Sequence, residues 1–189
     1  MTTDEDADRA REILAWLIIR SQEAIWVLAY IIEADRVIPQ IAALDDDAIL
    51  IAQFAAFDAL QALAMNIART LDIASSDRDS LPSLFGLLKK PDVTAAVSTN
   101  GKPAHLQCAF DLWDQLKTNQ NVVRLRHLRN SRLAHNLSKG EMAGIVEVAE
   151  QVFAIVDELC LGCYSDSSIG ELRARAASAA GRFWQCFAI

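Results

Sequence analysis

Four prolines, at positions 39, 82, 91 and 103, are the strongest constraint on how this chain of 189 residues can fold. Gly and Pro together number only 11, and the long stretches between them repeat apolar residues at helical spacing. Proline interrupts the interior of a helix, whereas it is well tolerated in the first turn. The sequence therefore predicts an all-α fold. Long antiparallel helices form an up-and-down helical bundle, and residues 1–189 make up a single domain.

The same signals predict where the helices begin and end. A first helix runs from Asp4 to about Arg36 and is ended by Pro39, and a second runs from about Asp46 to Ile73. A short helix covers Ser80 to Lys90, the stretch from Pro91 to Pro103 is irregular, and a helix from Pro103 continues across residues 118–121 or kinks there. The last two helices run from about Gly140 to Leu161 and from about Ser167 to Phe187, each opened by a capping box, Ser138 with Glu141 and Ser168 with Glu171.

The apolar faces of these helices predict the core. The first helix contributes Ile13, Trp16, Leu17, Ile19, Ile25, Leu28, Ile31 and Ile32, and the helix from Gly140 contributes Ile145, Val148, Ala149, Val152, Phe153, Val156 and Leu159. Trp16, Trp26, Trp113 and Trp184 all lie in helical apolar patterns. We therefore expect the tryptophans in the core and not as platforms for stacked bases.

Two stretches, Ile13 to Ile32 and Ala48 to Met65, are apolar enough to raise the question of a membrane span. The first carries Arg20 and Glu23 near its centre and the second carries Asp58. A charge at the middle of a bilayer costs about 2.5–3.5 kcal/mol, so buried bundle helices are favoured and no membrane association is expected. The acidic N-terminus lacks the basic start of a signal peptide, which predicts a cytoplasmic protein.

The four cysteines do not indicate a disulfide framework in a cytoplasmic chain. Cys160 and Cys163 form a CLGC sequence, and His105 with Cys108 forms an HLQC sequence, which together match zinc-ligand spacing. Each side supplies only one such pair and neither has a Gly-rich knuckle. We therefore expect free, buried cysteines, with no metal and no cofactor.

The segment from Lys117 to Lys139 has the opposite charge from the rest of the chain. It carries six Lys or Arg and no Asp or Glu, in a protein of net charge -7. Outside it, 12 basic residues face 25 acidic ones, a charge of -13. One positive segment on an acidic body favours a local anionic partner over general binding of polyanions.

Within this segment, Val122, Leu125, Arg129 and Leu133 fall in one helical sector about 80° wide. Arg129 interrupts this apolar seam, and because a guanidinium keeps its charge it needs an anion, a carboxylate or a wet cleft. His135 lies about 120° around and roughly 9 Å along an ideal helix from Arg129. The two side chains therefore do not converge within one helix.

The sequence RNSRLAH at residues 129–135 resembles the signature of the HEPN superfamily, an Arg and a polar residue followed by a His after four to six positions. It looks most like the AbiU-type abortive-infection branch. The resemblance implies an all-helical domain and a homodimer in which two motifs face each other as a metal-independent endoribonuclease site. Arg129, Asn130 and His135 would be catalytic, RNA the substrate, and an antitoxin or other regulatory protein a further partner. The regulatory Tyr that follows the motif His in some toxin pairs has no counterpart at Asn136.

Further basic residues are candidate contacts to RNA phosphates, namely Arg124, Arg126, Arg132 and Lys139. For Arg124 and Arg126 a solvated basic face is an equally good interpretation. Arg129 could instead form a salt bridge to a carboxylate of the first two helices, and His135 could cap helix carbonyls. The alternative function is a non-catalytic helical module that binds a nucleotide, RNA or a protein through the same seam.

Overall fold

A computed structural model describes residues 3–41, 46–71, 79–130 and 139–186; at 41, 126–130 and 139–142 it describes the backbone alone. These residues form a helical bundle, and no strand occurs among them. Its helices are α1 (Thr3–Ile41), α2 (Asp46–Thr70), α3 (Leu81–Leu88), α4 (Pro91–Val97), α5 (Pro103–Lys117), α6 (Gln120–Asn130), α7 (Lys139–Tyr164) and α8 (Ile169–Gln185). The prediction of an all-α fold is confirmed.

Helix α1 is the element against which most of the others pack. Its largest contacts are with α2 and α8, and it also touches α3, α4 and α7, while α5 packs mainly on α7. One large apolar core draws on all eight of these helices, but not on the C-terminal parts of α1 and α8 or the N-terminal part of α2. A second, small core of Ala34, Val37, Ala52 and Trp184 lies where α1, α2 and the end of α8 meet.

Two predictions that relied on proline are wrong. Helix α1 continues through Pro39 to Ile41, and residues 91–97, expected to be irregular, form α4. Pro39 lies so close to the end of α1 that the loss of one N–H donor affects only the last turn. Pro91 stands at the first position of α4, where an N–H would have no helical acceptor, so this proline begins a helix.

The helix ends before residues 118 and 119, where we expected it to continue or to kink. Helix α5 ends at Lys117, and the N–H groups of Thr118 and Asn119 bond back to Gln115 and Leu116. Helix α6 then begins at Gln120. The break lets α6 take its own direction away from α5.

The predicted core of the helix from Gly140 is confirmed, since all seven of its expected inward residues are buried in α7. Trp113 and Trp184 are buried as well. Trp16 and Trp26 are not: they are 46% and 41% exposed, and Ile19 and Ile32 of the same helix are exposed too. Their assignment to the core is wrong, because a helix that packs on several sides still leaves a strip of its surface open.

Helices α1 and α2 are long and apolar enough to cross a membrane by length and composition, a test that core helices of soluble proteins also pass. Only 28% and 22% of their most apolar windows are buried. On α2 the outward residues include Leu50, Ile51 and Phe54. Both helices therefore present apolar side chains outward as well as inward.

The expected cap of α8 differs by one residue. Ser168 occupies the N-cap position, but its side chain makes no capping hydrogen bond. Ser167 instead accepts a hydrogen bond from the N–H of Ile169 at 3.3 Å and donates one to Asp157 of α7. Helix α8 is thus tied to α7 at its first turn. The other predicted box includes Ser138, which lies outside the described residues.

Candidate functional site

The basic segment begins at the end of α5, runs through α6 and ends at the start of α7. Arg129 and Asn130 are the last two residues of α6, and Lys139 is the first of α7. The backbone of Arg126 and of these three residues is described, but their side chains are not. Arg132 and His135 lie outside the described residues, so their separation from Arg129 stays a prediction.

The start of α6 is fastened to α7 by Asn119. Its side-chain oxygen accepts the N–H of Asn121 at 2.8 Å, the geometry of a helix N-cap. Its Nδ2 donates to Glu147 Oε1 at 3.1 Å and to Gln151 Oε1 at 2.9 Å. One side chain therefore both begins α6 and joins it to two successive turns of α7.

Asn121 adds a second connection to the same carboxylate. Its Nδ2 donates to Glu147 Oε2 at 3.0 Å, so each oxygen of Glu147 accepts from a different asparagine. The side chain of Asn121 lies over Gly144, where an added Cβ would be 3.0 Å from Asn121 Cγ and Oδ1. The sequence interpretation missed this cluster, although the run TNQN at residues 118–121 carried both asparagines.

The apolar seam of α6 is confirmed where it can be compared. Val122 and Leu125 are buried at 1% and 3% exposure, whereas Val123 is 52% exposed and Arg124 is also exposed. Helix α6 packs its buried side on α7 and α2. Arg124 therefore lies in solvent, where it is free to meet an anion but is not organised by a neighbouring helix.

The structure does not group the four residues of the zinc-like pattern as metal ligands. His105 Nδ1 donates to Glu158 Oε2 at 2.7 Å. Burial raises the pKa of Cys160 to about 12, and the nearby charge of Asp157 adds to this increase. Burial alone raises the pKa of Cys163 to about 11. Burial and Glu158 also raise the pKa of Cys108. Across the described ranges no group of three or more His, Cys, Asp or Glu could hold a metal ion.

A cavity of about 250 Å³ lies between α1, α7 and α8. Its walls are mostly apolar and include Ile25, Leu28 and Phe153. Glu150 and Arg173, which pair with each other, line it together with Glu33. No residue of α6 lines this cavity, so it is separate from the basic segment.

The groups around the start of α6 are amides, which supply no nucleophile, and one carboxylate, whose two oxygens already accept hydrogen bonds from Asn119 and Asn121. Any chemistry of the segment would therefore come from its Arg and His residues. No family model, no curated protein and no solved structure matches this chain.

Proposed function

We propose that this protein is a metal-independent endoribonuclease of the HEPN type that acts in phage defence, by abortive infection, or in a toxin–antitoxin system. The observation that carries the proposal is the order Arg129, Asn130, His135 within RNSRLAH. The all-helical bundle is consistent with it. RNA is the substrate, so the protein would act in the cytoplasm.

Charge supports an anionic substrate at this segment. The six basic residues between Lys117 and Lys139 are the only Lys or Arg cluster of this size free of acidic residues. Arg124, exposed on α6, would contact a phosphate on the rim, as would Arg126, Arg132 and Lys139. Because the rest of the molecule is acidic, RNA would be repelled elsewhere and directed here.

The reaction is cleavage by the RNA's own 2′-hydroxyl. The 2′-oxygen attacks the adjacent phosphorus while His135 accepts its proton, and His135 passes that proton to the 5′-oxygen as the bond between phosphorus and the 5′-oxygen breaks. Arg129, with Asn130, stabilises the negative charge of the phosphorane. The products are a cyclic phosphate and a 5′-hydroxyl, and no metal ion takes part.

The site would be completed in a homodimer. On the helix predicted from the sequence Arg129 and His135 would diverge, and a two-fold axis would bring each close to its counterpart in the partner. Two basic segments facing each other repel, so the shared cleft must be hydrated or hold an anion. Phosphate should therefore strengthen the dimer, and light scattering with and without phosphate measures this.

The test is incubation of the purified protein with a mixed RNA pool in EDTA. His135→Ala should reduce cleavage by about 10²-fold or more, and Arg129→Ala by a similar factor. His127→Ala is the matched control, because His127 lies in the same basic segment outside the motif. Full activity in the His135→Ala protein would overturn the site.

A different pattern would favour the non-catalytic module. In that case RNA or a nucleotide binds, Arg129→Ala weakens the binding, and no condition yields cleavage. Expression in a bacterial host gives an early indication, since a free ribonuclease arrests growth and a binding module does not.

A further inference from the structure

Glu147 is an exposed carboxylate that is nevertheless held at both oxygens. Asn119 donates to Oε1 at 3.1 Å and Asn121 donates to Oε2 at 3.0 Å. Hydrogen bonds to an ionised acceptor are stronger than neutral ones. This pair of contacts, which we call the asparagine clamp, connects the first turn of α6 to the third turn of α7.

Helix α6 depends on such contacts for its direction. It has 11 residues, and isolated helices of that length are marginal in water. A two-residue break separates it from α5. The buried side chains of Val122 and Leu125 fix which face points inward, whereas the tilt of the helix also depends on its polar contacts. The clamp restrains that tilt at one end.

The other end of α6 carries Arg129 and Asn130. Arg129 is eight residues beyond Asn121, about 12 Å along an ideal helix. Over that length a tilt of about 5° moves the end of the helix by roughly 1 Å, a displacement that can reduce a catalytic rate by about 10²-fold. A contact at the start of α6 can thus control the geometry at its end.

We propose that Glu147 is a positioning residue that, through Asn119 and Asn121, sets the direction in which α6 presents Arg129 and Asn130 to RNA. Its catalytic consequence rests on the proposed function, while its effect on α6 does not. Glu147 would act without touching the substrate. Loss of the clamp should therefore lower kcat and leave KM for RNA nearly unchanged.

The experiment compares Glu147→Ala, Glu147→Gln and the control Glu150→Ala in the full chain. Glu150 lies on the same helix but pairs with Arg173 of α8, away from α6. Amide hydrogen exchange is measured across residues 120–130 and 145–160, and cleavage of one RNA oligonucleotide gives kcat and KM. Glu147→Ala should speed exchange in α6 about tenfold and lower kcat roughly tenfold to a hundredfold. Glu147→Gln keeps one acceptor oxygen, so its exchange in α6 and its kcat should both lie between those of wild type and Glu147→Ala.

A second variant perturbs the asparagine side of the clamp. Gly144→Ala leaves Glu147 in place, but its methyl group would crowd Asn121. It should speed exchange in α6 while exchange in α7 slows or stays constant, because alanine favours the helix.

Unchanged exchange of α6 in Glu147→Ala overturns the clamp. Faster exchange with an unchanged kcat overturns the positioning role, as does an equal loss of kcat in Glu150→Ala. If the wild-type protein cuts no RNA, the proposed function fails. Amide exchange of α6, faster in Glu147→Ala and unchanged in Glu150→Ala, then decides whether Glu147 holds the direction of the helix that carries the basic residues.

Discussion

The indole Nε1 of Trp184 donates a hydrogen bond to the backbone carbonyl of Tyr30 at 3.1 Å, across 154 positions of sequence. The two rings also lie against each other with centroids 5.0 Å apart. Trp184 is 2% exposed and belongs to the small core that includes Ala34 and Val37 of α1. This one side chain joins the last turn of α8 to the C-terminal half of α1.

Trp184→Ala should lower the free energy of unfolding by about 3–5 kcal/mol, because it removes a buried aromatic side chain and leaves a cavity. Trp184→Phe keeps most of the volume but leaves the Tyr30 carbonyl without its second donor, and should cost about 1–2 kcal/mol. Urea denaturation followed by circular dichroism measures both. A Trp184→Ala protein as stable as wild type would mean that α8 does not pack as described.

Gly101→Ala should destabilise the protein by about 3 kcal/mol or more. A Cβ at this position would lie 1.6 Å from the carbonyl oxygen of Gly162, where the start of α5 meets α7, and backbone atoms cannot yield to it. Gly181→Ala is the control: nothing lies within 4 Å of its Cβ, and it should stabilise α8 by about 0.5–1 kcal/mol. Thermal melts of the two variants should therefore shift in opposite directions.

Ser165→Gly should stabilise the protein by about 0.5–1 kcal/mol. Ser165 follows the end of α7 with a φ of 64°, in the left-handed region where a side chain is strained and glycine is not. Ser165→Ala keeps the strain and serves as the comparison. If glycine and alanine have equal effects in chemical denaturation, backbone strain at this position is negligible.

Stability should fall as the pH rises above about 9. Folding raises the pKa of Cys160 to about 12 and that of Cys163 to about 11, so the unfolded chain releases these protons first. The unfolded state is then favoured by about 1 kcal/mol per thiol at pH 10, whereas below pH 8 the stabilisation is complete. The difference between wild type and a Cys160→Ala, Cys163→Ala double variant, measured by denaturation at pH 7 and pH 10, isolates this effect from other titrating groups. A difference that does not change with pH would contradict the burial of both thiols.

Sequence periodicity was sufficient for the core of α7, where every third or fourth residue is apolar and one face meets the rest of the bundle. It failed for Trp16 and Trp26 because a pattern tells which residues share a face, not whether another helix covers that face. Proline was ambiguous for a related reason. A proline such as Pro91 can follow the end of one helix or occupy the first turn of the next. The sequence around Pro91 does not specify whether a new helix begins there.

In the candidate site, too, local sequence patterns could be recognised whereas contacts between helices could not. Arg129, Asn130 and His135 could be proposed from sequence because their spacing is a local pattern. The contacts of Asn119 and Asn121 with Glu147 could not, because they join residues 26 and 28 positions apart and depend on how α6 lies on α7. Polar contacts between helices have no sequence period by which to recognise them.

The hydrogen bond between Trp184 and Tyr30 can form only late in the synthesis of these residues. At about 5–20 residues per second, a ribosome needs roughly 8–30 s to proceed from Tyr30 to Trp184. Throughout that interval the face of α1 that α8 covers has no partner from its own chain. A nascent chain therefore cannot complete its small core until Trp184 has been synthesised.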